Sequence, residues 1–301
     1  MSKAQHAYRR MRSTQTAWLE LDTLVASARN SGMSAGLLCT DQSAAFNLVK
    51  ADIIVAKLRV FGVQESALML IRSYLTGRST VCTVGHSTSS TVRLKSGVGK
   101  GSVVGPLFFI ATLCDVTIVA KRAMERLKSD HNFDTMVHLI AYADGVSALV
   151  IGQTEAEIQK AVDILMEEFF SYFSLARLSM NPSKSELILF RRGRQSQELS
   201  VEGQPEASKV KLLGVTVEKG YLFNSHASQV AANVKSKVEK LAVACKFLEW
   251  KNWKTVTDAI VTSTLSYCLA VWGWRYSWRK KVQKAMNCAT GCPKKILSLG
   301  M

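Results

Sequence analysis

A chain of 301 residues with 48% hydrophobic composition has ample apolar material for a core, which argues against disorder as the default and allows one large domain or two to three small ones. Its 39 Lys+Arg against 23 Asp+Glu give a formal charge of +16 and a sequence pI near 9.6. An acidic partner is therefore expected, nucleic acid being the commonest, with a solvated basic surface as the alternative.

The first residues are polar and basic, with Arg9, Arg10 and Arg12, and no apolar stretch of the secretory kind follows them. Thr14 to Ala26 carries Ala17, Leu21, Leu24 and Val25 at helical spacing and reads as an amphipathic helix. Ala35 to Thr40 is a short apolar run that reads as a buried strand ending in Asp41. Helices are predicted across Asp52 to Phe61 and Gln64 to Leu75, then a hairpin of Thr80–Val84 and Ser90–Leu94. Gly97, Gly99, Gly101 and Gly105 form a loop to which something approaches closely, and Pro106 opens a helix running to about Leu127.

Val137–Ala141 and Val146–Ile151 flank Tyr142-Ala143-Asp144-Gly145, so Asp144 is expected on the turn of a hairpin. Thr154 to Arg177 reads as a long helix with acidic residues in its first turn, broken by Asn181-Pro182. Strands are predicted at Ser185–Phe190 and Val210–Val217, the latter turning at Glu218-Lys219-Gly220. From Asn224 the pattern becomes helical, over Val230–Phe247, then Thr255–Val271, then a basic helix around Arg279–Met286. The stretch 259–274 is shorter than the roughly 20 residues of a membrane span and is interrupted by Thr262, Ser263, Thr264 and Ser266. No membrane role is expected.

Charge and cysteines refine this picture. Residues 183–301 hold 20 Lys+Arg and 8 Asp+Glu, so +12 of the +16 lies in this C-terminal stretch. Seven scattered cysteines argue for free thiols in a reducing, intracellular compartment, nucleus or cytoplasm, not a secreted protein. Cys288 and Cys292 are closely spaced, but no histidine lies near them to complete a zinc site.

Asp41 and Asp144 emerge from apolar strands, where a charge is costly unless paired or metal-bound. They read either as hard oxygen ligands for Mg²⁺ in phosphoryl transfer or as two turn aspartates at exposed loop tips. Trp272, Trp274, Tyr276 and Trp278 interleave with Arg275, Arg279, Lys280, Lys281 and Lys284. That mixture suits a nucleic-acid backbone with exposed bases, or a helix with its aromatics in a core and its lysines in solvent.

The run Asp41-Gln42-Ser43-Ala44-Ala45-Phe46 resembles the first catalytic motif of non-LTR (LINE-type, jockey-like) retrotransposon reverse transcriptases. Gly97 to Leu107 resembles their GVPQGSVLGPL loop, Tyr142 to Gly145 their YADD turn, and Met180 to Glu186 their LNPSKTE segment. Leu212-Leu213-Gly214 is similar to the primer-grip hairpin, and Leu265-Ser266-Tyr267 with Val271-Trp272 to the thumb. The resemblance starts at Gln5 to Arg10, inside the fingers, so a partial enzyme lacking the upstream fingers and the endonuclease is expected.

The resemblance implies an α+β fold. It is a right-hand polymerase palm, an antiparallel sheet with packed helices, carrying partial fingers and a helical C-terminal thumb. It divides the chain into a fingers remnant (1–36), fingers and palm with the primer-grip hairpin (37–222) and a basic helical thumb (223–301). Asp41, Asp144 and the Gln42 carbonyl are implied ligands of two Mg²⁺ ions. Phe46 would pack under the sugar and exclude a 2′-hydroxyl, or else be a core aromatic. Gly99, Lys100 and Gly101 would line the nucleotide, and Lys184 would sit near the triphosphate as charge clamp or proton donor, or be a solvated lysine. The implied partners are an RNA template, a DNA primer or hybrid, and dNTPs.

The departures cluster at this site. Gly145 stands where the family has a second aspartate, Gly99-Lys100 where it has Pro-Gln, Asn47 for an aspartate, and Lys50-Ala51 for Asp-His. Losing a carboxylate lowers metal affinity, while glycine in a tight turn is structurally easy. Two functions follow: an RNA-directed DNA polymerase impaired by Gly145 and Lys100, or a catalytically inactive protein of the same fold that binds nucleic acid or acts as a scaffold.

Overall fold

The computed structural model describes residues 2–40, 45–99, 101–191, 199–244 and 250–273. The chain divides into two compact units, Met1–Ser13 with Leu24–Ala207, and Thr14–Thr23 with Ser208–Met301. Helix α1 (Thr14–Asn30) supplies residues to both and runs past the predicted Ala26.

In the first unit, β1 (Ser34–Thr40) is followed by α2 (Ala45–Leu48), α3 (Ala51–Val60) and α4 (Glu65–Leu75). The predicted hairpin forms as two short pairs, β2 (Ser79–Thr80) with β5 (Val92–Arg93) and β3 (Thr83–Val84) with β4 (Ser87–Thr88). All of its strand residues are exposed, so no packing holds the ladder continuous. The long helix predicted after Gly105 is two helices, α5 (Gly105–Thr112) and α6 (Thr117–His131). The break carries Asp115, whose carboxylate accepts from Tyr172 Oη at 2.6 Å and pairs with Lys57. Those partners and the Asp115 backbone hold its pKa below the usual carboxylate value, although burial works against them as the largest influence.

The sheet has order β6–β7–β1–β8 and is antiparallel throughout, with β6 (Met136–Tyr142), β7 (Gly145–Gly152) and β8 (Glu186–Phe190). The central strands β1 and β7 are nearly continuous apolar runs, as burial on both faces demands. One face presents Leu38, Val146, Ala148, Val150, Leu187 and Leu189 to a core shared with α6 and with α7 (Glu155–Leu175). Helix α7 starts at Thr154, whose side chain accepts from Glu157 N, and Glu155 and Glu157 lie in its first turn, favouring the positive end of its dipole. Ile158, Ala161, Val162, Leu165, Phe169 and Phe173 then form its buried stripe. Beyond the sheet, β9 (Ser200–Val201) pairs with β10 (Gln204–Pro205).

After Thr14–Thr23 the second unit resumes with β11 (Lys209–Leu212) and β12 (Val215–Glu218), a hairpin where the apolar pattern alone predicts one strand over Val210–Val217. The turn residues Leu213 and Gly214 both have positive φ, 45° and 81°, and an apolar leucine there gives no turn signal. Helix α8 (Asn224–Ala244) begins at Asn224, where the sequence pattern turns helical. The helix predicted over Thr255–Val271 is interrupted: α9 (Trp250–Thr257), a π-helical stretch over Asp258–Thr262, α10 (Ser263–Ser266) and α11 (Leu269–Trp272). Cys268, at φ 50°, separates the last two. Trp18, Tyr221 and Trp272 are fully buried, and Phe223 meets the rings of Trp18 and Tyr221 edge-on. The helix predicted over Arg279–Met286 lies outside the described residues. Among those residues no helix is long and apolar enough to cross a membrane.

Candidate functional site

Strand register gathers three chain segments at one end of the four-stranded sheet. Strand β1 finishes at Thr40 opposite Val146, and the Thr40 hydroxyl donates to Val146 O at 2.7 Å. Strands β6 and β7 turn through Ala143-Asp144 between the paired Tyr142 and Gly145. Strand β8 begins at Glu186 opposite Cys39, just after the 3-10 turn Pro182–Lys184 that bears the exposed Lys184. Asp144 is half-buried on its turn, while Asp41 and Gln42, which follow Thr40 in sequence, lie outside the described residues. Near this end the Cys39 thiol is pushed up to about 12 by burial, opposed by a hydrogen bond with Ser147 and reinforced by Glu186, so it stays neutral.

The turn itself is held from the far N-terminal end of the first unit. Ala143 has φ 54°, a left-handed conformation that costs an L-residue roughly 1–2 kcal/mol. The buried Gln5 bridges both backbone groups of Ala143: its Oε1 accepts from Ala143 N at 3.0 Å and its Nε2 donates to Ala143 O at 3.2 Å. The flanking backbone is in register with β6, since Ala141 N donates to Ala4 O and His6 N to Ala141 O, both at 2.8 Å. Nothing local in the sequence marks Gln5 for this task.

The glycine-rich loop is laced to the segment after β1. Gly97 N donates to Val49 O at 2.7 Å, Val98 N to Phe46 O at 2.9 Å, and Ser96 Oγ to Asn47 O at 2.9 Å. A Cβ on Gly97 would come within 2.9 Å of Asn47 O, so the close approach inferred from sequence is made here by the chain's own backbone. Phe46 is half-buried and stacks on Phe109 with centroids 4.6 Å apart, so part of its ring belongs to the core. Gly99 O accepts from the backbone and hydroxyl of Ser102, and Gly101 follows in a left-handed conformation. Lys100 lies outside the described residues. A cleft of about 520 Å³ beside the loop is lined by Asn47, Arg78, Arg93, Lys95 and Gly99. Arg93 lies in β5 of the exposed hairpin, and Arg78 and Lys95 flank the hairpin.

In the second unit, Leu212, Leu213 and Gly214 form the tip of the β11–β12 hairpin. Both leucine carbonyls are occupied: Trp18 Nε1 donates to Leu212 O at 3.1 Å and Tyr267 Oη to Leu213 O at 2.7 Å. Trp272 is wholly buried, donates to Tyr267 O and meets His226 edge-on, so it serves the core and not a base-stacking surface. His226 is pushed down to about 4 by burial, with Lys211 adding to the effect, and stays neutral near neutral pH. Arg275, Arg279, Lys280, Lys281 and Lys284 lie outside the described residues.

Residues 1–217 match the model of the family described as reverse transcriptase (RNA-dependent DNA polymerase). The chain belongs to the reverse transcriptase family. Among similar proteins, a probable RNA-directed DNA polymerase from transposon X-element of Drosophila melanogaster is 24% identical over 237 residues, covering 74% of this chain and 25% of the relative. The RNA-directed DNA polymerase from mobile element jockey of Drosophila funebris is 23% identical over 210 residues, covering 68% of this chain and 22% of the relative. This chain is a reverse transcriptase domain of the non-LTR retrotransposon kind, and it spans about a quarter of the length of these curated relatives. Among solved structures, telomerase from Candida tropicalis with a fragment of telomeric RNA aligns at 12% identity with a TM-score of 0.49, covering 91% of this chain and 46% of that one. The apo form from the same organism aligns at 10% identity and 0.48, covering 96% and 51%. The fold is α+β, as expected from sequence, with an antiparallel sheet backed by α6 and α7.

Reverse transcriptases generally use divalent metal ions. Asp144 offers the hard oxygen donors that Mg²⁺ takes, and no group of three or more His, Cys, Asp or Glu suited to a metal occurs among the described residues. Gly145 lies outside the left-handed region, and a Cβ there would have Tyr142 O at 3.5 Å as its close neighbour, an ordinary contact. Asp144 therefore suits a divalent cation in ligand type, and the backbone at position 145 tolerates a Cβ.

Proposed function

We propose that this reverse transcriptase domain carries an RNA-templated DNA polymerase site at the β1/β6–β7 end of its sheet, weakened by Gly145 and Lys100. The observation that carries it is the half-buried Asp144 on a tight hairpin turn, level with the end of the strand that leads into Asp41. In this reading residues 1–36 are a fingers remnant, 37–222 fingers and palm, and 223–301 the thumb. Asp41 and Asp144, with the Gln42 carbonyl, hold two Mg²⁺ ions. The metal, when bound, supplies activation of the primer 3′-hydroxyl and neutralisation of the departing pyrophosphate.

The remaining roles fall to the chain's own residues. Phe46, wedged against Phe109, bounds the sugar and disfavours a 2′-hydroxyl. Gly99, Lys100 and Gly101 face the incoming dNTP, and the exposed Lys184 clamps charge on the triphosphate or gives a proton to the leaving group. Leu212, Leu213 and Gly214 grip the DNA primer strand, whereas Arg275, Arg279, Lys280, Lys281 and Lys284 meet phosphates of the template–primer hybrid. We place the working enzyme inside the cell, in the nucleus or cytoplasm.

The test is primer extension on poly(A)/oligo(dT) with Mg²⁺ and dTTP, comparing the wild type, Asp41→Ala, and Gly145→Asp with and without Lys100→Gln. We expect weak synthesis above the Asp41→Ala control and a gain on the order of tenfold or more for Gly145→Asp, since a third carboxylate raises metal occupancy. Absence of incorporation in every folded variant removes the polymerase reading. Gly145 itself favours a second reading, an inactive binding protein, and that reading predicts template–primer affinity unchanged by Asp144→Ala.

A further inference from the structure

We infer that Gln5 is the positioning residue of the Asp144 turn, setting the direction of that carboxylate through Ala143, which lies 138 residues away in the chain. The inference rests on the reading of Asp144 as a metal-binding carboxylate. It begins with an unmet demand: a two-residue turn pairs Tyr142 with Gly145 and leaves both polar groups of Ala143 without a partner inside the hairpin. Buried polar groups require partners. Gln5, 2% exposed, satisfies both with one amide, accepting from Ala143 N and donating to Ala143 O.

The geometry links this clamp to the carboxylate. Ala143 C=O lies in the same rigid peptide plane as Asp144 N. Fixing that carbonyl fixes the plane from which the Asp144 side chain departs, and fixing Ala143 N on the other side holds φ at 54° in a residue other than glycine. The amide is itself immobilised before it reaches the turn. Its Oε1 also accepts from Ala7 N at 2.9 Å, its backbone carbonyl accepts from Arg9 Nη1 at 3.0 Å, and the same Arg9 nitrogen donates to Ser2 O at 2.7 Å. The parallel bridge of Gln5 to Ala141 sets the register. Held at both ends, the glutamine acts as a strut between residues 2–12 and the reactive end of the sheet.

No other common side chain does this at the same reach. Asn is one methylene short, an ionised Glu accepts but cannot donate to Ala143 O, and Ala leaves both groups unpaired. The experiment compares Gln5→Ala and Gln5→Asn with the parent, each with and without Gly145→Asp, by three measurements: amide exchange across 139–147, Mn²⁺ affinity, and the kcat and dNTP KM of extension. We expect exchange at Ala143 to accelerate on the order of tenfold in both variants, with the interior amides of β6 and β7 unchanged. Mn²⁺ binding should weaken, and in the Gly145→Asp background kcat should fall about tenfold or more with KM nearly constant, the signature of a misaligned reacting group.

Unchanged exchange at Ala143 overturns the clamp. Acceleration spread evenly over the sheet, or faster exchange with metal affinity and kcat intact, shows a merely structural tie and also overturns the positioning role. Should the Gly145→Asp parent with native Gln5 neither bind Mn²⁺ nor extend a primer, the polymerase reading fails and the metal-directed role of Gln5 falls with it, while local exchange still decides whether the clamp exists.

Discussion

At Gly101 the backbone sits at φ 83°, and a Cβ there would meet nothing within 4 Å, so the objection to a side chain is conformational and not steric. Gly99 is the reverse case: its φ is unexceptional and an added Cβ would have ordinary neighbours at 3.7–3.8 Å. Gly101→Ala should therefore destabilise by about 1–2 kcal/mol, while Gly99→Ala should stay within about 0.5 kcal/mol. Urea unfolding of the two variants checks this, and equal costs would refute the distinction. The contrast shows what sequence can reveal residue by residue. Four glycines in a row of nine positions mark a loop, but which of them the backbone needs depends on a φ value that sequence does not print. Asp144 on its turn is legible because apolar runs flank a four-residue break. Gln5 is not, because a long-range hydrogen bond leaves no pattern in the neighbouring residues.

Among elements, those with a long buried stripe are the easiest to read. Helix α7 and strands β1, β6, β7 and β8 lie close to where periodicity puts them. The misjudged ones depend on distant partners: the α5–α6 break is fastened by Asp115 to Tyr172 and Lys57, and the β11–β12 turn by Trp18 and Tyr267. A further long-range fastening joins the start of α7 to the end of β8. Arg191 donates to Glu155 at 2.7 Å and to both oxygens of Glu206 at 2.7 and 2.9 Å, and the carboxylate side chains are only 4% and 2% exposed. Arg191→Met would leave two buried carboxylates without their shared cation. It should cost about 3–5 kcal/mol, a large part of a typical domain's stability. Replacing Glu155 and Glu206 by leucine in the same chain should recover most of that loss, because the cost lies in stranded charge and not in a missing attraction. Denaturant midpoints of the single and triple variants decide it; a single variant as stable as the parent would show the triad to be dispensable.

For the molecule as a whole the governing quantity is its charge of +16, of which +12 resides in residues 183–301. A cationic surface that neutralises phosphates releases condensed counterions, so affinity for nucleic acid should fall steeply with salt. If about six phosphates are engaged, binding of a template–primer hybrid should weaken roughly 10³-fold between 50 and 200 mM salt. Changing Arg279, Lys280, Lys281 and Lys284 together to glutamine should then reduce the slope of log affinity against log salt by about 3–4. Asp144→Ala should leave that slope unaltered, because a carboxylate contributes no phosphate contact. Fluorescence anisotropy titrations across the salt series measure both quantities. A flat salt response would mean that the basic excess is a solvated surface, and an unaltered slope in the quadruple variant would move the interface away from residues 279–284. The measurement also separates charge from chemistry: a protein that binds with the full slope yet extends no primer until Gly145 becomes aspartate has kept its grip on nucleic acid while losing part of its metal site.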